Sequence, residues 1–158
     1  MYKRALVPLD GSTVAEAIIP FLLEIAGPLD MDIVLLRVLQ PIPPTALESS
    51  RYVVFDDVEE RRSEAEAYLA PVAGNLRSRG VRVETKVRHG EPADEIVLGA
   101  REAGADLIAM TTHGRSGLGR LVFGSVAEAV LRHADVPVFL MRQTERQVAE
   151  RTAWEAIR

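Results

Sequence analysis

The chain has 158 residues, of which 47% are hydrophobic and 27% charged, a balance typical of one folded domain and unlike that of a disordered segment. Its formal net charge of −4 at pH 7 gives no overall attraction for nucleic acid or anionic membranes, so any anion site must be local. The absence of cysteine excludes disulfides, zinc–thiolate sites and thiol catalysis.

The beginning of the chain predicts a strand followed by a helix. The short apolar run RALVPLD, residues 4–10, ends at a turn and is typical of a buried strand. The following segment predicts a helix with Ser12 or Thr13 as N-cap. We expect Pro20 to kink this helix and Gly27-Pro28 to end it, because proline lacks the backbone N–H that a helix needs.

The middle of the chain predicts a strand, a loop, a helix and a second strand. The apolar run DIVLLRVLQ, residues 32–40, predicts a buried strand. The proline-rich stretch 41–57 predicts an irregular loop, and residues 58–79 predict a helix that ends at Gly80. Apolar and polar residues alternate in VRVETKVRHG, residues 81–90, which predicts an edge strand with one face in water.

The last third of the chain predicts two further helix–strand pairs and a tail. Residues 91–104 favour a helix with proline at its first position and Gly104 as its cap. Residues 106–112 predict a strand, 125–134 a helix and 136–142 a last strand. We therefore predict one domain over residues 1–142 and a charged C-terminal tail, 143–158, which is either a packed helix or frayed.

Five strands alternate with four helices in this prediction. Alternation with short connections is typical of an α/β fold in which helices cover both faces of a parallel sheet. Ligands of such folds bind at the carboxyl ends of the strands. Here those ends carry Asp10, Val38, His89 and the glycine-rich segment that follows Thr111.

The glycine-rich segment HGRSGLGRLVFGS matches neither of two common phosphate motifs. Gly114 and Gly119 have the Walker spacing, but Arg120-Leu121 replaces the lysine and the hydroxyl residue. The dinucleotide pattern starts at Gly117 and fails at Val122. Another explanation is needed for this concentration of glycine.

The spacing of Gly114 and Gly124-Ser125 fits an anion site at the start of a helix. The backbone N–H groups of Gly124, Ser125 and Val126 would be unpaired donors there, and the helix dipole favours a negative charge. The alternative is that Ser125 is simply the N-cap of the helix.

Three segments resemble the universal stress protein family: ALVPLDGS, HGEPADEIV and DLIAMTTHGRSGLGRLVFGSVAEAVLRHADVPVFLMR. The family signature is G-2x-G-9x-G-[ST], and this chain has Thr111-2x-Gly114-9x-Gly124-Ser125, with Thr111 in place of the first glycine. The resemblance covers residues 1 to 142. It implies a three-layer α/β/α fold, adenine nucleotide alpha hydrolase-like, with a five-stranded parallel sheet in the order 3-2-1-4-5.

The resemblance also implies the contacts of a bound nucleotide. Asp10 and Val38 would face the base and ribose, and Gly114 and Arg115 would lie along the phosphates. Gly124, Ser125 and Val126 would hold the phosphates or ribose. Pro8 would shape the site and Gly117 would give the glycine-rich span its mobility, while the β-branched side chain of Thr111 would crowd the ribose. For Asp10, a role as a turn or capping acid stays open as an alternative.

These observations predict a stress or signalling protein that binds ATP, AMP or cyclic AMP without efficient catalysis. No histidine or carboxylate cluster in the sequence indicates a dedicated metal site. Bound ATP would bring Mg²⁺ or Mn²⁺ with it. His113 has no serine nucleophile and carboxylate partner in a recognisable order. Two alternatives stay open, a ligand-free dimeric interaction module in which Thr111 closes the pocket and a weak ATPase.

The resemblance implies a homodimer, and the apolar last strand, from Val136 to Met141, predicts where it forms. We expect no nucleic-acid or membrane partner. The apolar run before Asp10 is too short for a signal peptide, and no segment approaches the roughly 20 apolar residues that cross a bilayer. The predicted location is the cytoplasm.

Overall fold

A computed structural model describes residues 1–42, 53–113 and 124–143. Most of the predicted proline-rich loop, the glycine-rich span from 114 to 123 and the tail beyond 143 lie outside these residues.

The described residues form alternating strands and helices, as the sequence predicts. The strands are β1 (Arg4–Pro8), β2 (Asp32–Leu39), β3 (Val83–His89), β4 (Leu107–His113) and β5 (Val138–Gln143). The helices are α1 (Thr13–Glu16), α2 (Ile18–Leu29), α3 (Val53–Ser78), α4 (Pro92–Ala103) and α5 (Ser125–His133).

The five strands form one parallel sheet in the order β3-β2-β1-β4-β5. This confirms the predicted fold class and strand order, and it places β3 at an edge. The chain returns from β3 to the other side of β1 when it forms β4, so the order reverses between β1 and β4. Such a reversal leaves a crevice at the carboxyl ends of the two strands.

Helices cover both faces of the sheet, and successive residues of each central strand point into different layers. In β1, Val7 packs with the layer of α2 and α3, whereas Leu6 packs with the layer of α4 and α5. β2 repeats the pattern, with Leu35 in the first layer and Leu36 in the second. Because both faces are buried, these strands are apolar throughout rather than alternating.

The first predicted helix is divided into α1 and α2 at Ala17, three residues before Pro20. The prediction of a kink inside one helix is therefore corrected to a break. Proline at position 20 cannot donate to the carbonyl of Glu16, and its ring crowds that carbonyl. The N–H of Ala17 instead donates to the oxygen of Val14 at 3.2 Å, a tighter turn that ends α1.

The predicted stop at Gly27-Pro28 is wrong, because α2 continues through both residues to Leu29. A proline this close to the end removes a single helical hydrogen bond. The helix ends at Asp30, whose φ of 50° is left-handed, a conformation that aspartate tolerates better than most residues. The N–H of Met31 donates to the oxygen of Ala26 at 2.9 Å and closes this end.

The third helix begins at Val53, five residues before the predicted start at Val58. The sequence from 53 to 57, VVFDD, contains no glycine or proline, so nothing in it stops a helix from extending backward. The end is close to the prediction, since α3 ends at Ser78 and Gly80 follows with a φ of 85°.

The fourth helix matches the prediction at both ends. Pro92 is its first residue, where the missing N–H costs nothing. Gly104 is its C-cap with a φ of 61°, a left-handed position that favours glycine.

Candidate functional site

A cavity of about 510 Å³ opens at the carboxyl ends of β2, β1 and β4. Its volume lies within the usual range of small-molecule sites, roughly 300 to 1,000 Å³. Seven of the ten residues that the sequence singles out line it: Pro8, Asp10, Val38, Thr111, Gly124, Ser125 and Val126. The other three, Gly114, Arg115 and Gly117, lie outside the described residues.

The parallel sheet explains why residues so far apart in the chain meet here. β1 pairs with β2 on one side and with β4 on the other, so the segments that follow these strands emerge at the same edge. α5 begins beside the end of β4 and turns its N-terminus toward the cavity, where Gly124 and Ser125 form part of the wall.

Asp10 lies at the mouth of the cavity and also organises the turn after β1. One carboxylate oxygen accepts a hydrogen bond from the N–H of Ser12 at 2.9 Å, and the Ser12 hydroxyl caps α1 by accepting from the N–H of Ala15 at 3.1 Å. Partial burial acts to raise the pKa of Asp10, but hydrogen bonding with Ser12 and the positive charge of Arg37 outweigh it and lower that pKa. Asp10 is thus an ionised turn acid that faces the cavity.

Arg37 is a cavity residue that the sequence analysis missed. It extends from β2 on the face of α3, where its guanidinium lies 5.9 Å from the centre of the Tyr68 ring and 3.5 Å from the carbonyl oxygen of Leu9. The Tyr68 hydroxyl donates to Glu16 at 2.7 Å. Burial, and then the bond to Glu16, raise the pKa of Tyr68, so the phenol stays protonated.

Arg61, on α3, is a second missed cavity residue. Its guanidinium donates to the carbonyl oxygen of Gln40 at 2.9 Å, which holds the helix against the end of β2. The charged side chains among the described lining residues are Asp10, Arg37 and Arg61. Two guanidinium groups and one carboxylate leave this part of the cavity with one net positive charge in a chain that is negative overall.

One signal for Arg37 was present in the sequence. It is the single charged residue inside the apolar run IVLLRVL, and a charge in a buried strand needs a partner or an opening. Arg61 had no comparable signal, because it belongs to a charge-rich helix in which most such residues are solvated.

The N-terminus of α5 differs from the alternative in which Ser125 is the N-cap of the helix. Gly124 is the N-cap and Ser125 is the first helical residue, so the interpretation of Ser125 as an ordinary N-cap is wrong. The N–H of Gly124 donates to the Thr112 hydroxyl at 3.2 Å, which ties the helix to β4. The prediction that this N–H is an unpaired donor is therefore wrong. The N–H groups of Ser125 and Val126 belong to the first turn, where a helix offers them no acceptor.

Thr111 and Thr112 point to opposite faces of β4. The Thr112 hydroxyl accepts a hydrogen bond from the N–H of Gly124. The Thr111 hydroxyl oxygen is fully buried and has no hydrogen-bond partner in the part of the chain that the structure describes, although Thr111 itself contributes to the cavity wall. The surface that Thr111 presents to the cavity is therefore its backbone or its methyl group.

Within the described ranges, no three histidine or acidic side chains are grouped so that they could hold a metal ion. The same part of the chain contains no helix with the length and apolar character needed to span a membrane. The structure does not describe the side chain of His113, and the absence of a catalytic role for this residue stays a prediction.

The strand order and the cavity at the switch point define the class: an α/β protein of the adenine nucleotide alpha hydrolase-like fold. The sequence matches the universal stress protein family over residues 1–142. The chain belongs to this family.

Curated relatives agree with this assignment. A universal stress protein of Methanocaldococcus jannaschii is 33% identical over 149 residues, which cover 93% of this chain and 86% of the relative. One from Bacillus subtilis is 28% identical over 148 residues, covering 90% of this chain and all of the relative.

Solved structures have the same fold. A second M. jannaschii protein is 26% identical and superimposes with a TM-score of 0.77 over 90% of this chain and 97% of its own. A universal stress protein in complex with cAMP is 22% identical, with a TM-score of 0.65 and coverages of 89% and 97%. An Arabidopsis thaliana family member with AMP bound is 21% identical, with a TM-score of 0.66 and coverages of 92% and 94%.

Proposed function

We propose that this chain binds an adenine nucleotide in the cavity at the ends of β1, β2 and β4, and that it acts as a stress or signalling protein without efficient turnover. The observation that carries the proposal is the N-terminus of α5, which forms part of the wall of a cavity of nucleotide size. Unpaired N–H groups and the helix dipole there favour a phosphate.

The other walls suit the rest of a nucleotide. Val38, Ile96 and Met110 supply apolar surface for a base, while Asp10 supplies an acceptor for an amine or a ribose hydroxyl. Proteins of this fold bind cAMP and AMP, so the fold can accommodate an adenine nucleotide. ATP, AMP and cyclic AMP are all candidates, with Mg²⁺ or Mn²⁺ accompanying ATP.

Isothermal titration of nucleotide-stripped protein with ATP, AMP and cyclic AMP tests the proposal. We expect at least one of them to bind, and Gly124→Ala to weaken it about tenfold or more. A Cβ at Gly124 would meet its nearest described neighbour, the Thr112 hydroxyl oxygen, at 3.7 Å, so we expect the variant to fold. The added methyl group would instead keep a phosphate away from the helix N-terminus.

The matched control is Gly74→Ala, the same change on α3, where the new Cβ would meet no described atom within 4 Å apart from the adjacent helix backbone. It should leave the affinity unchanged. The proposal fails if no nucleotide binds at high micromolar concentration and natively purified protein retains none.

The alternative, a ligand-free interaction module, has one observation in its favour. Thr111 replaces the first glycine of the family signature and stands in the cavity wall. In that case Thr111→Gly would create nucleotide binding that the wild type lacks. If the wild type binds, Thr111→Gly should change its affinity little, because the Thr111 hydroxyl oxygen is buried and offers a ligand no hydrogen bond.

We further propose that the chain forms a homodimer through β5. This strand lies at the end of the sheet order, with β4 on one side and no strand on the other among the described residues. An open strand edge offers backbone groups for pairing with a second copy.

A further inference from the structure

The cavity has a positively charged wall that is separate from the proposed phosphate position at the N-terminus of α5. Arg37 and Arg61 line it on the side of β2 and α3, away from the N-terminus of α5. Both side chains are half-buried, so a bound anion would be only partly screened by water.

Among the described residues, the contacts of these two arginines leave guanidinium donors for a ligand. Each guanidinium has five N–H donors, and within the described part of the chain Arg37 contacts one carbonyl and Arg61 another. Neither forms an ion pair with a described carboxylate, whereas the neighbouring Arg62 pairs with Glu66 at 3.2 Å. A guanidinium group without a carboxylate partner has N–H donors that are well suited to phosphate oxygens.

The sheet sets the separation of the two cationic positions. β2 and β4 lie on either side of β1, and adjacent strands are about 4.8 Å apart, so the two ends of the cavity are roughly 10 Å apart. Asp10 lies between them, at the end of β1. A nucleoside placed there would have one positive region on each side.

We propose that Arg37 and Arg61 bind a second anionic group of the ligand, and that the preferred ligand class is a nucleotide with one phosphate on the 5′ oxygen and another on the 2′ or 3′ oxygen. This inference rests on the proposed function, because the 5′-phosphate would occupy the N-terminus of α5. The second phosphate would lie against the guanidinium groups on the opposite side of the cavity.

The test compares the affinities of AMP, ADP, adenosine 2′,5′-bisphosphate and adenosine 3′,5′-bisphosphate, measured by titration of stripped protein. We expect at least one bisphosphate to bind about tenfold or more tightly than AMP, since a charge-assisted pair is typically worth that factor. ADP adds its phosphate on the 5′ side and should gain less than the bisphosphate.

Arg61→Gln and Arg37→Gln should each reduce the ratio of bisphosphate to AMP affinity toward one. Arg62→Gln, an adjacent arginine on α3 outside the cavity wall, should leave the ratio unchanged. Circular dichroism checks that the variants fold, and Arg61→Gln serves as the principal variant because Arg37 also packs on Tyr68.

The outcomes separate the two proposals. If AMP or ATP binds but neither bisphosphate exceeds AMP, or if the gain survives both substitutions, the second anion position is wrong and nucleotide binding stands. If no nucleotide or bisphosphate binds, both proposals fail.

Discussion

Two neighbouring threonines at the end of β4 differ in hydrogen bonding. The Thr112 hydroxyl accepts a hydrogen bond from the N–H of Gly124, whereas the buried Thr111 hydroxyl has no partner among the described residues. A buried unpaired polar group costs about 1 to 3 kcal/mol, while a satisfied hydrogen bond contributes about 1 kcal/mol. The same substitution should therefore have opposite effects at the two positions.

We expect Thr111→Val to raise the free energy of unfolding by about 1 kcal/mol, because valine has the same shape and removes the unpaired hydroxyl. Thr112→Val should lower it by about the same amount, because it leaves the N–H of Gly124 without its acceptor. Thermal unfolding measures both, with shifts of about 3 °C in opposite directions. A Thr111→Val protein that is less stable than the wild type would show that the hydroxyl has a partner.

The effect of a glycine on helix stability depends on whether it lies inside the helix or at its end. Gly74 lies on the exposed side of α3 with open space around it, while Gly104 ends α4 with a left-handed φ of 61°. Alanine is a better helix former than glycine by about 1 kcal/mol. A left-handed position reverses that preference, because a Cβ is disfavoured there.

Gly74→Ala should accordingly stabilise the protein by up to about 1 kcal/mol, and Gly104→Ala should destabilise it by about 1 to 2 kcal/mol. Urea unfolding of the two variants beside the wild type provides the measurement. Equal effects of the same sign would contradict the helix boundaries described for α3 and α4.

The break between α1 and α2 is a second effect of a single residue on a helix. Proline at position 20 predicted a disturbance, and the structure places it one turn earlier, at Ala17. The reason is that proline interferes with the carbonyl four residues before it. Gly27-Pro28 was misjudged because the buried side chains of Leu22 and Ala26 hold that helix on the sheet and outweigh a local preference.

The proposed dimer is a property of the whole molecule. The side chains of β5 already contribute to both core layers, Phe139 and Met141 to one and Val138 and Leu140 to the other. What the strand offers a partner is thus mainly its backbone edge. Phe139 stacks on Phe21 with ring centres 4.6 Å apart, which holds the strand in place.

We expect sedimentation equilibrium at tens of micromolar to give about twice the monomer mass of 17.3 kDa. Dilution should shift the distribution toward the monomer, because the proposed contact is a strand edge rather than a large apolar face. A monomer at all of these concentrations would contradict the proposed interface.

The sequence by itself determined the type and order of the elements and, through its resemblance to a family, the strand order. Long apolar runs, proline at Pro92 and glycine at Gly104 are local signals, and local signals report how each element is buried and where it ends. The same reasoning predicted which chain segments follow the strands, and hence that Asp10, Thr111 and Gly124 would meet at one edge.

Only the tertiary structure decided which charged side chains enter the cavity and which hydroxyl group is bonded. Arg61 and Gln40 are 21 residues apart in the chain, and Thr112 and Gly124 are 12 apart, so no pattern within one element reports their contact. Hydrophobic periodicity distinguishes the buried from the exposed face of a helix or strand. It carries no information on which distant partner faces a polar group, because packing of the sheet and helices sets that geometry.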